Sequence, residues 1–437
     1  MTKAIALRSI GCRTNQQEMA ALGFYVITHG HRLVDRIEEA QIVVVNTCAV
    51  TAETEAKTRR MLRQLSRKAP HTAICVTGCL AQQKAHEMKR EPNVRWVVGN
   101  TCKNEIPNII ANDSEGVFCE TSAGSRDSLK LLLESPISMS AFHRTRFSIK
   151  IQEGCNFRCA YCIVPFLRGA SRSAAHKDVV MVCMRAVDAG FKEIVLTGTH
   201  IGQYQSENGE GLITLLEHLA AIPGDYRIRL SSLDPRDCEA TLLDLIGTNP
   251  RFCRHLHLSV QSLSPAVIAA MNRPSLDIES FAQAIIDFRT RFPDAGIGGD
   301  FIVGFPGETE ANFEKTLVSI EKIGFSYGHV FRFSKRPMTS AADFPGQIDE
   351  KEKRRRSASL RLVLDHCYND FVRKLFGTRH RIIVEKERPM TGRTSNYLHI
   401  EVPSASAPRN TWRTVIIKGI DPTNGHCQAE VETRGDS

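Results

Sequence analysis

Three apolar runs near the amino terminus each end in a cysteine: KAIALRSIGC (3–12), QIVVVNTC (41–48) and TAICVTGC (72–79). They are short, rich in β-branched residues and nearly free of polar alternation, the pattern of strands covered on both faces. The stretches between them, QQEMAALGFYVITHG (16–30) and ETEAKTRRMLRQLSRKA (53–69), carry helical patterns. Strands alternating with helices predict a parallel α/β sheet over 1–122. Ligand crevices of such sheets lie at the carboxyl ends of the strands. Cys12, Cys48 and Cys79 are therefore expected to converge on one edge.

NDSEGVFCETSAGSRDSLK (112–130) has no period and is rich in small and polar residues, which places a linker at 123–144. From 145 to 375 six further strand patterns appear: RFSIKIQEG (146–154), EIVLTGTHIG (193–202), YRIRLSSLDP (226–235), HLHLSVQS (255–262), GIGGDFIVGFPG (296–307) and YGHVFRFS (327–334). Helical patterns such as GLITLLEHLAAI and EANFEKTLVSIEKIG separate most of them. This predicts a partial (β/α)6 barrel with its active site at the strand carboxyl ends. The last segment, 376–437, carries four short strand patterns broken by Gly, Pro and Asn, the signature of a small β-barrel.

No apolar run approaches the roughly 18 residues of a membrane span, and the amino terminus does not read as a signal peptide. Fourteen cysteines without such a signal imply a reducing, cytoplasmic setting in which clustered thiols are metal ligands or catalysts. A formal charge of +9 leans toward a polyanionic partner without naming it.

The densest cluster is GCNFRCAYC (154–162), with Cys155, Cys159 and Cys162 spaced CxxxCxxC in the loop after the first barrel strand. Three thiolates hold three irons of a [4Fe–4S] cube and leave the fourth iron open to a small molecule. Zinc also keeps an open position in catalytic sites. Its ligands usually include His or two separated CxxC pairs, and no His lies between 150 and 170.

At these residues the sequence resembles the radical S-adenosylmethionine (SAM) superfamily. The resemblance implies that SAM chelates the open iron and is cleaved by one electron to methionine and a 5′-deoxyadenosyl radical. The motifs SIGCRTNQQE, NTCAVT, VTGCLAQ, IQEGCNFRCAYCIVPFLRGASRS, LTGTHIG, SSLDP and DFIVGFPGET narrow it to the methylthiotransferases, over about residues 5–433. That family joins an α/β domain, a radical SAM barrel and an RNA-binding TRAM barrel. It implies two [4Fe–4S] clusters, the radical one on Cys155, Cys159 and Cys162 and an auxiliary, sulfur-presenting one on Cys12, Cys48 and Cys79. SAM contacts are expected from Tyr161, Thr197, Gly198, Ser231, Ser232, Gln261 and Gly304. A monomer acting on the tRNA anticodon stem-loop is implied, reduced by a donor such as flavodoxin or ferredoxin.

Within the family, SIGCRTNQQE and NTCAVTAETEAKTRR look most like the branch acting on N6-threonylcarbamoyladenosine of tRNA. The other branches act on N6-isopentenyladenosine and on a ribosomal-protein aspartate. A different class, a non-catalytic metal-containing RNA-binding protein, would need coordinatively closed sites. Leu263, where the family usually has Gly, and Pro274–Ser275 depart from the pattern, and Leu263 is neutral only if its turn needs no positive φ. Cys75 is expected to pack in the core. Arg168 and Arg172 follow the cluster loop and are placed to reach a polyanion or substrate. The basic run at 351–356 reads as a solvated helix face or a phosphate contact. Arg388, Arg393 and Arg413 are expected on an RNA-facing surface, and His200 and His257 are read as structural.

Overall fold

The computed structural model describes residues 2–119, 145–273, 275–421 and 425–432. The expected linker and Pro274 lie outside the described residues. Strands β1 (Ala4–Ser9), β2 (Arg32–Leu33), β3 (Ile42–Thr47), β4 (Ala73–Gly78), β5 (Val94–Val98) and β6 (Gly116–Phe118) form one parallel sheet in the order β2-β1-β3-β4-β5-β6. β3 is buried along its whole length, which explains its unbroken apolar run. The helices Arg13–Thr28 and Ala52–Lys68 connect β1 to β2 and β3 to β4. Thr51 caps the second of these by accepting from the Thr54 amide at 3.2 Å.

The central unit begins with β7 (Arg146–Lys150), followed by a two-stranded ribbon of β8 (Gln152–Glu153) and β9 (Arg172–Ser173). Its wall is completed by β10 (Glu193–Thr197), β11 (Arg227–Leu230) with its continuation β12 (Ser232–Leu233), β13 (His255–Gln261), β14 (Gly296–Val303) and β15 (Tyr327–Arg332). All neighbouring pairs are parallel, β7-β10-β11 on one side and β12-β13-β14-β15 on the other, with the break falling at Ser231. These are the six strands expected of a partial barrel. The core between wall and helices runs from Ile149 on β7 to Val330 on β15.

Five strands close the carboxy-terminal barrel: β16 (Arg379–Lys386), β17 (Met390–Arg393), β18 (His399–Val402), β19 (Trp412–Ile420) and β20 (Cys427–Val431), in the order β16-β17-β18-β20-β19. β17 is the strand that the sequence pattern missed. The turn after it enters the amino end of the central barrel, the end opposite the cysteine loops. Arg229 donates to the carbonyls of Thr394 (3.0 Å) and Ser395 (2.9 Å), and Asn396 donates to Asp294 (2.9 Å). Glu193, fully buried, anchors Arg227 at 2.6 Å and Arg229 at 2.9 Å. The Tyr397 ring stacks on His255 at 4.6 Å and on Tyr327 at 5.7 Å.

Two features bear on the expectations for the basic run and for Leu263. On the helix Glu350–Arg373, Lys353 and Arg356 point inward, and Arg356 bonds the buried Glu308 at 2.8 Å. The basic run is thus half structural, because a helical period sends every third or fourth residue back to the core. Leu263 is fully buried, and the positive φ in this turn belongs to Gln261 (70°). The turn therefore needs no glycine at 263.

Candidate active site between two cysteine triads

The amino-terminal sheet delivers its cysteines as expected. Cys12 follows β1 and opens the helix Arg13–Thr28, Cys48 follows β3, and Cys79 follows β4 as the first residue of a short helix. Gly11 has φ +113°, and a Cβ there would lie 2.6 Å from Cys48 Cβ, so the Cys12 loop must close over Cys48 without a side chain. Burial, and next the neighbouring Cys79, push the Cys48 thiol up to about 12. Asn15 donates to the carbonyls of Ile10 (2.9 Å) and Thr47 (3.0 Å), and Asn100 reaches Cys79 Sγ at 3.8 Å. These amides fix the loops around the three thiols.

The second triad sits in the loop after β8. Gly154 (φ +79°) runs so close to Ala170 that a Cβ would meet its carbonyl oxygen at 2.0 Å. Cys155 N donates to Gly169 O at 3.1 Å, and Cys162 N to Cys159 O at 3.0 Å. Burial pushes Cys162 up to about 12, with Cys159 and Cys155 adding to the rise. His200 lies 3.8 Å from Cys155 Sγ and 2.7 Å from Asp237 Oδ2. Cys75, by contrast, is fully buried among apolar residues, as expected of a packing cysteine.

Each set offers three thiols, a soft donor set of the kind that fits an iron–sulfur cluster. The thiols within each triad are near enough to raise one another's proton affinity. Apart from them, His257, Asp300 and His329 form a group whose ligand atoms all lie within 4.8 Å of one another.

The two triads share a frame. Ile163 and Leu167, just after Cys162, belong to the same apolar core as Val43, Val45 and Leu80. Asn100, beside Cys79, donates to Leu167 O at 3.1 Å. Arg168 is 5% exposed and reaches Glu18 (2.8 Å), Glu153 (2.6 Å) and Asn15 Oδ1 (3.0 Å). Lys150 adds bonds of 3.1 Å to both glutamates, Arg172 one of 3.0 Å to Glu153, and Lys103 pairs with Glu18. Burial pushes both carboxyls up, and the surrounding cations overcome it and hold them well below the usual carboxylate range. Arg168 and Arg172 therefore do not face a polyanion, as the sequence suggested. They knit the cluster loop to the amino-terminal sheet.

Between the loop that follows Cys48 and the loop at Cys162 lies a pocket of about 210 Å³. Val50 and Thr51 from the Cys48 loop form one side, Tyr161, Cys162, Ile163 and Val164 another, and Gln261, Asp300, Ile302 and residues 331–334 the rest. Of the expected SAM contacts, Tyr161 and Gln261 line this pocket. Thr197 and Gly198 end β10, where Thr197 Oγ1 donates to Ile149 O at 3.0 Å and Gly198 abuts Gln152. Ser231 is buried at the break between β11 and β12, Ser232 is exposed, and Gly304 backs onto Lys353. Sequence reasoning missed Asp300, although an ionisable residue inside the apolar run GIGGDFIV was a visible signal.

The model "Uncharacterized protein family UPF0004" matches residues 4–99, and the Radical SAM superfamily model matches 149–320. The chain is 33% identical over 394 residues to "Threonylcarbamoyladenosine tRNA methylthiotransferase MtaB" of Thermotoga maritima, covering 88% of this chain and 87% of that protein. The Bacillus subtilis protein of the same name is also 33% identical, over 91% of this chain and 89% of its own. A "tRNA-2-methylthio-N(6)-dimethylallyladenosine synthase" of Bartonella bacilliformis is 30% identical over 100% of this chain and 97% of that protein. Among solved structures, the radical SAM methyltransferase TsrM of Kitasatospora setae shares the fold at a TM-score of 0.59 and 12% identity, over 78% of this chain and 74% of that one. Among the described residues no helix is long and apolar enough to cross a membrane. The chain belongs to the radical SAM tRNA methylthiotransferases, enzymes of the SAM- and [4Fe–4S]-dependent class.

Proposed function

We propose that the protein inserts sulfur and a methyl group at carbon 2 of N6-threonylcarbamoyladenosine beside the tRNA anticodon. Cys155, Cys159 and Cys162 hold the radical cluster, and Cys12, Cys48 and Cys79 hold a second one. The observation that carries this reading is the pocket itself, lined at once by the loop that follows Cys48 and by Cys162 with its neighbours. A base seated there meets Cys162 on one side and the loop that follows Cys48 on the other. Bound at Cys155, Cys159 and Cys162, a [4Fe–4S] cluster with SAM would supply one-electron cleavage chemistry.

The chain's own residues do the positioning. Asn15 and Asn100 hold the loops of Cys12, Cys48 and Cys79, and the Arg168 network ties the two sets together. Tyr161 and Gln261 wall the pocket on the SAM side. Thr197, Gly198, Ser231, Ser232 and Gly304 are assigned to the SAM seat by the family motif. The threonylcarbamoyl branch is favoured by SIGCRTNQQE and by the 33% identity to relatives of that name. Mass spectrometry of tRNA nucleosides from cells lacking the gene tests it. Loss of the 2-methylthio form of N6-threonylcarbamoyladenosine, with the isopentenyl derivative unchanged, is the expected outcome. The reverse pattern assigns the enzyme to the other tRNA branch.

A further inference from the structure

The pocket between the triads has one acidic wall, and its protons can be assigned from the hydrogen-bond network. Asp300 on β14 lies in register with His329 on β15, and two residues earlier Gly298 lies beside His257 on β13. Both imidazoles reach the same carboxylate oxygen: His257 Nε2 and His329 Nδ1 each lie 3.1 Å from Asp300 Oδ1. With its Nε2–H given to Asp300, His257 presents a bare Nδ1 to the Tyr327 hydroxyl at 3.0 Å. The Tyr327 oxygen in turn lies 2.7 Å from His255 Nε2. Burial would push the Asp300 carboxyl up, but the His257 and His329 bonds overcome it and hold the group far below the usual carboxylate range. Among the described residues no protein group hydrogen-bonds Oδ2, and Asp300 lines the pocket with a side-chain exposure of 22%.

An ionised carboxylate accepts hydrogen bonds and cannot donate them. One oxygen is already doubly occupied by imidazole N–H groups, so the other is an acceptor-only point in a partly dry pocket. We propose that Asp300 reads the substrate base through an exocyclic N–H, and so admits adenines that keep an N6–H and rejects those that do not. This rests on the reading that the base enters the pocket between the triads. A keto purine would set its own acceptor against the carboxylate, and an N6,N6-dialkyl adenine offers no proton at all. Phe331, 41% exposed on the same wall, supplies a ring face for the base. His257 and His329 are positioning residues that act through Asp300.

The test uses the full-length, iron–sulfur-reconstituted protein and anticodon stem-loop RNAs that differ only at the target adenosine. One carries N6-methyl, one N6,N6-dimethyl, and one the threonylcarbamoyl group. Losing a hydrogen bond to a charged acceptor weakens binding roughly tenfold or more. The wild type should therefore bind the monomethyl RNA at least about tenfold more tightly than the dimethyl RNA. In Asp300→Ala the two Kd values should converge, and in Asp300→Asn, which keeps a carbonyl acceptor, part of the gap should survive. Because each ratio is taken within one variant, a general loss of fold does not mimic the result. An undiminished ratio in Asp300→Ala, or none in the wild type, overturns the proposal. So does a stoichiometric divalent ion bound by the wild type and lost in His329→Ala, since the ion would take the carboxylate. Methylthiolation of the threonylcarbamoyl RNA by the wild type reports separately on the underlying reading.

Discussion

Removing an anion from the buried network between the triads should cost more than removing a cation. Four cations (Lys103, Lys150, Arg168 and Arg172) face two carboxylates, Glu18 and Glu153. In Arg168→Met three cations still serve the two carboxylates, so the loss is mainly of charge-assisted bonds, of which each is worth about 1.5–3 kcal/mol. The Lys150 contacts at 3.1 Å to both carboxylates remain, leaving a cost of about 3 kcal/mol. Glu18→Gln instead leaves Lys103 with no carboxylate and Lys150, Arg168 and Arg172 on Glu153 alone. The uncompensated charge places its cost at the top of the 3–5 kcal/mol range for a broken buried pair, at about 5 kcal/mol. The double variant should cost less than the sum, since each single change leaves charges that the other removes. Urea unfolding followed by Trp96, which is fully buried in the amino-terminal sheet, reports the difference in a Trp412→Phe background under reducing conditions. Equal costs, or costs below about 1 kcal/mol for both, would mean that water screens the network and that the two triads are not held by it.

Gly11→Ala should displace Cys48, because the new methyl would lie 2.6 Å from its Cβ; reconstituted protein should then hold about half the wild-type iron while the Cys155 triad keeps its share. Cys159→Ala should abolish 5′-deoxyadenosine formation, whereas Cys48→Ala should retain it and lose only the methylthio product; equal loss in two folded variants would refute the division between the triads. Glu193 is pushed up by burial and pulled down further by Arg229 and Arg227, so its folded pKa is depressed. Its contribution is therefore present above the unfolded value of about 4.3 and is lost as pH falls through the folded one. Glu193→Gln should lower stability by about 3 kcal/mol or more at neutral pH and flatten the acid limb of the stability curve, read from urea midpoints followed from about pH 5 downward, below the unfolded value.

The strand ends that carry Cys12, Cys48 and Cys79 were legible because apolar runs and their terminating cysteines sit in the same short words. The six barrel strands were legible for the same reason. β17 was not, since MTGR has neither alternation nor bulk and is held by its pairing with β16 and β18. Arg168 was misjudged because its partner Glu18 lies 150 positions away, a distance no local pattern spans. Lys353 and Arg356 were recoverable in principle. They share a helix face with Leu360 and Leu364, and the run of charge masked that period. At Asp300 the apolar strand was read and its one ionisable residue passed over.

The turn that enters the foot of the central barrel has a consequence for how the carboxy-terminal barrel relates to the pocket. Tyr397 stacks on His255 and Tyr327, Tyr327 holds His257, and His257 holds Asp300. The appended barrel thus stands at one end of a continuous column of rings whose other end is the pocket wall. A shift of that barrel has a direct mechanical path to the carboxylate through these packed rings. The same column makes the barrel a poor candidate for clean removal. Cutting the chain before β16 would take away Tyr397 and leave His255 and Tyr327 as the newly wetted floor of the enzyme.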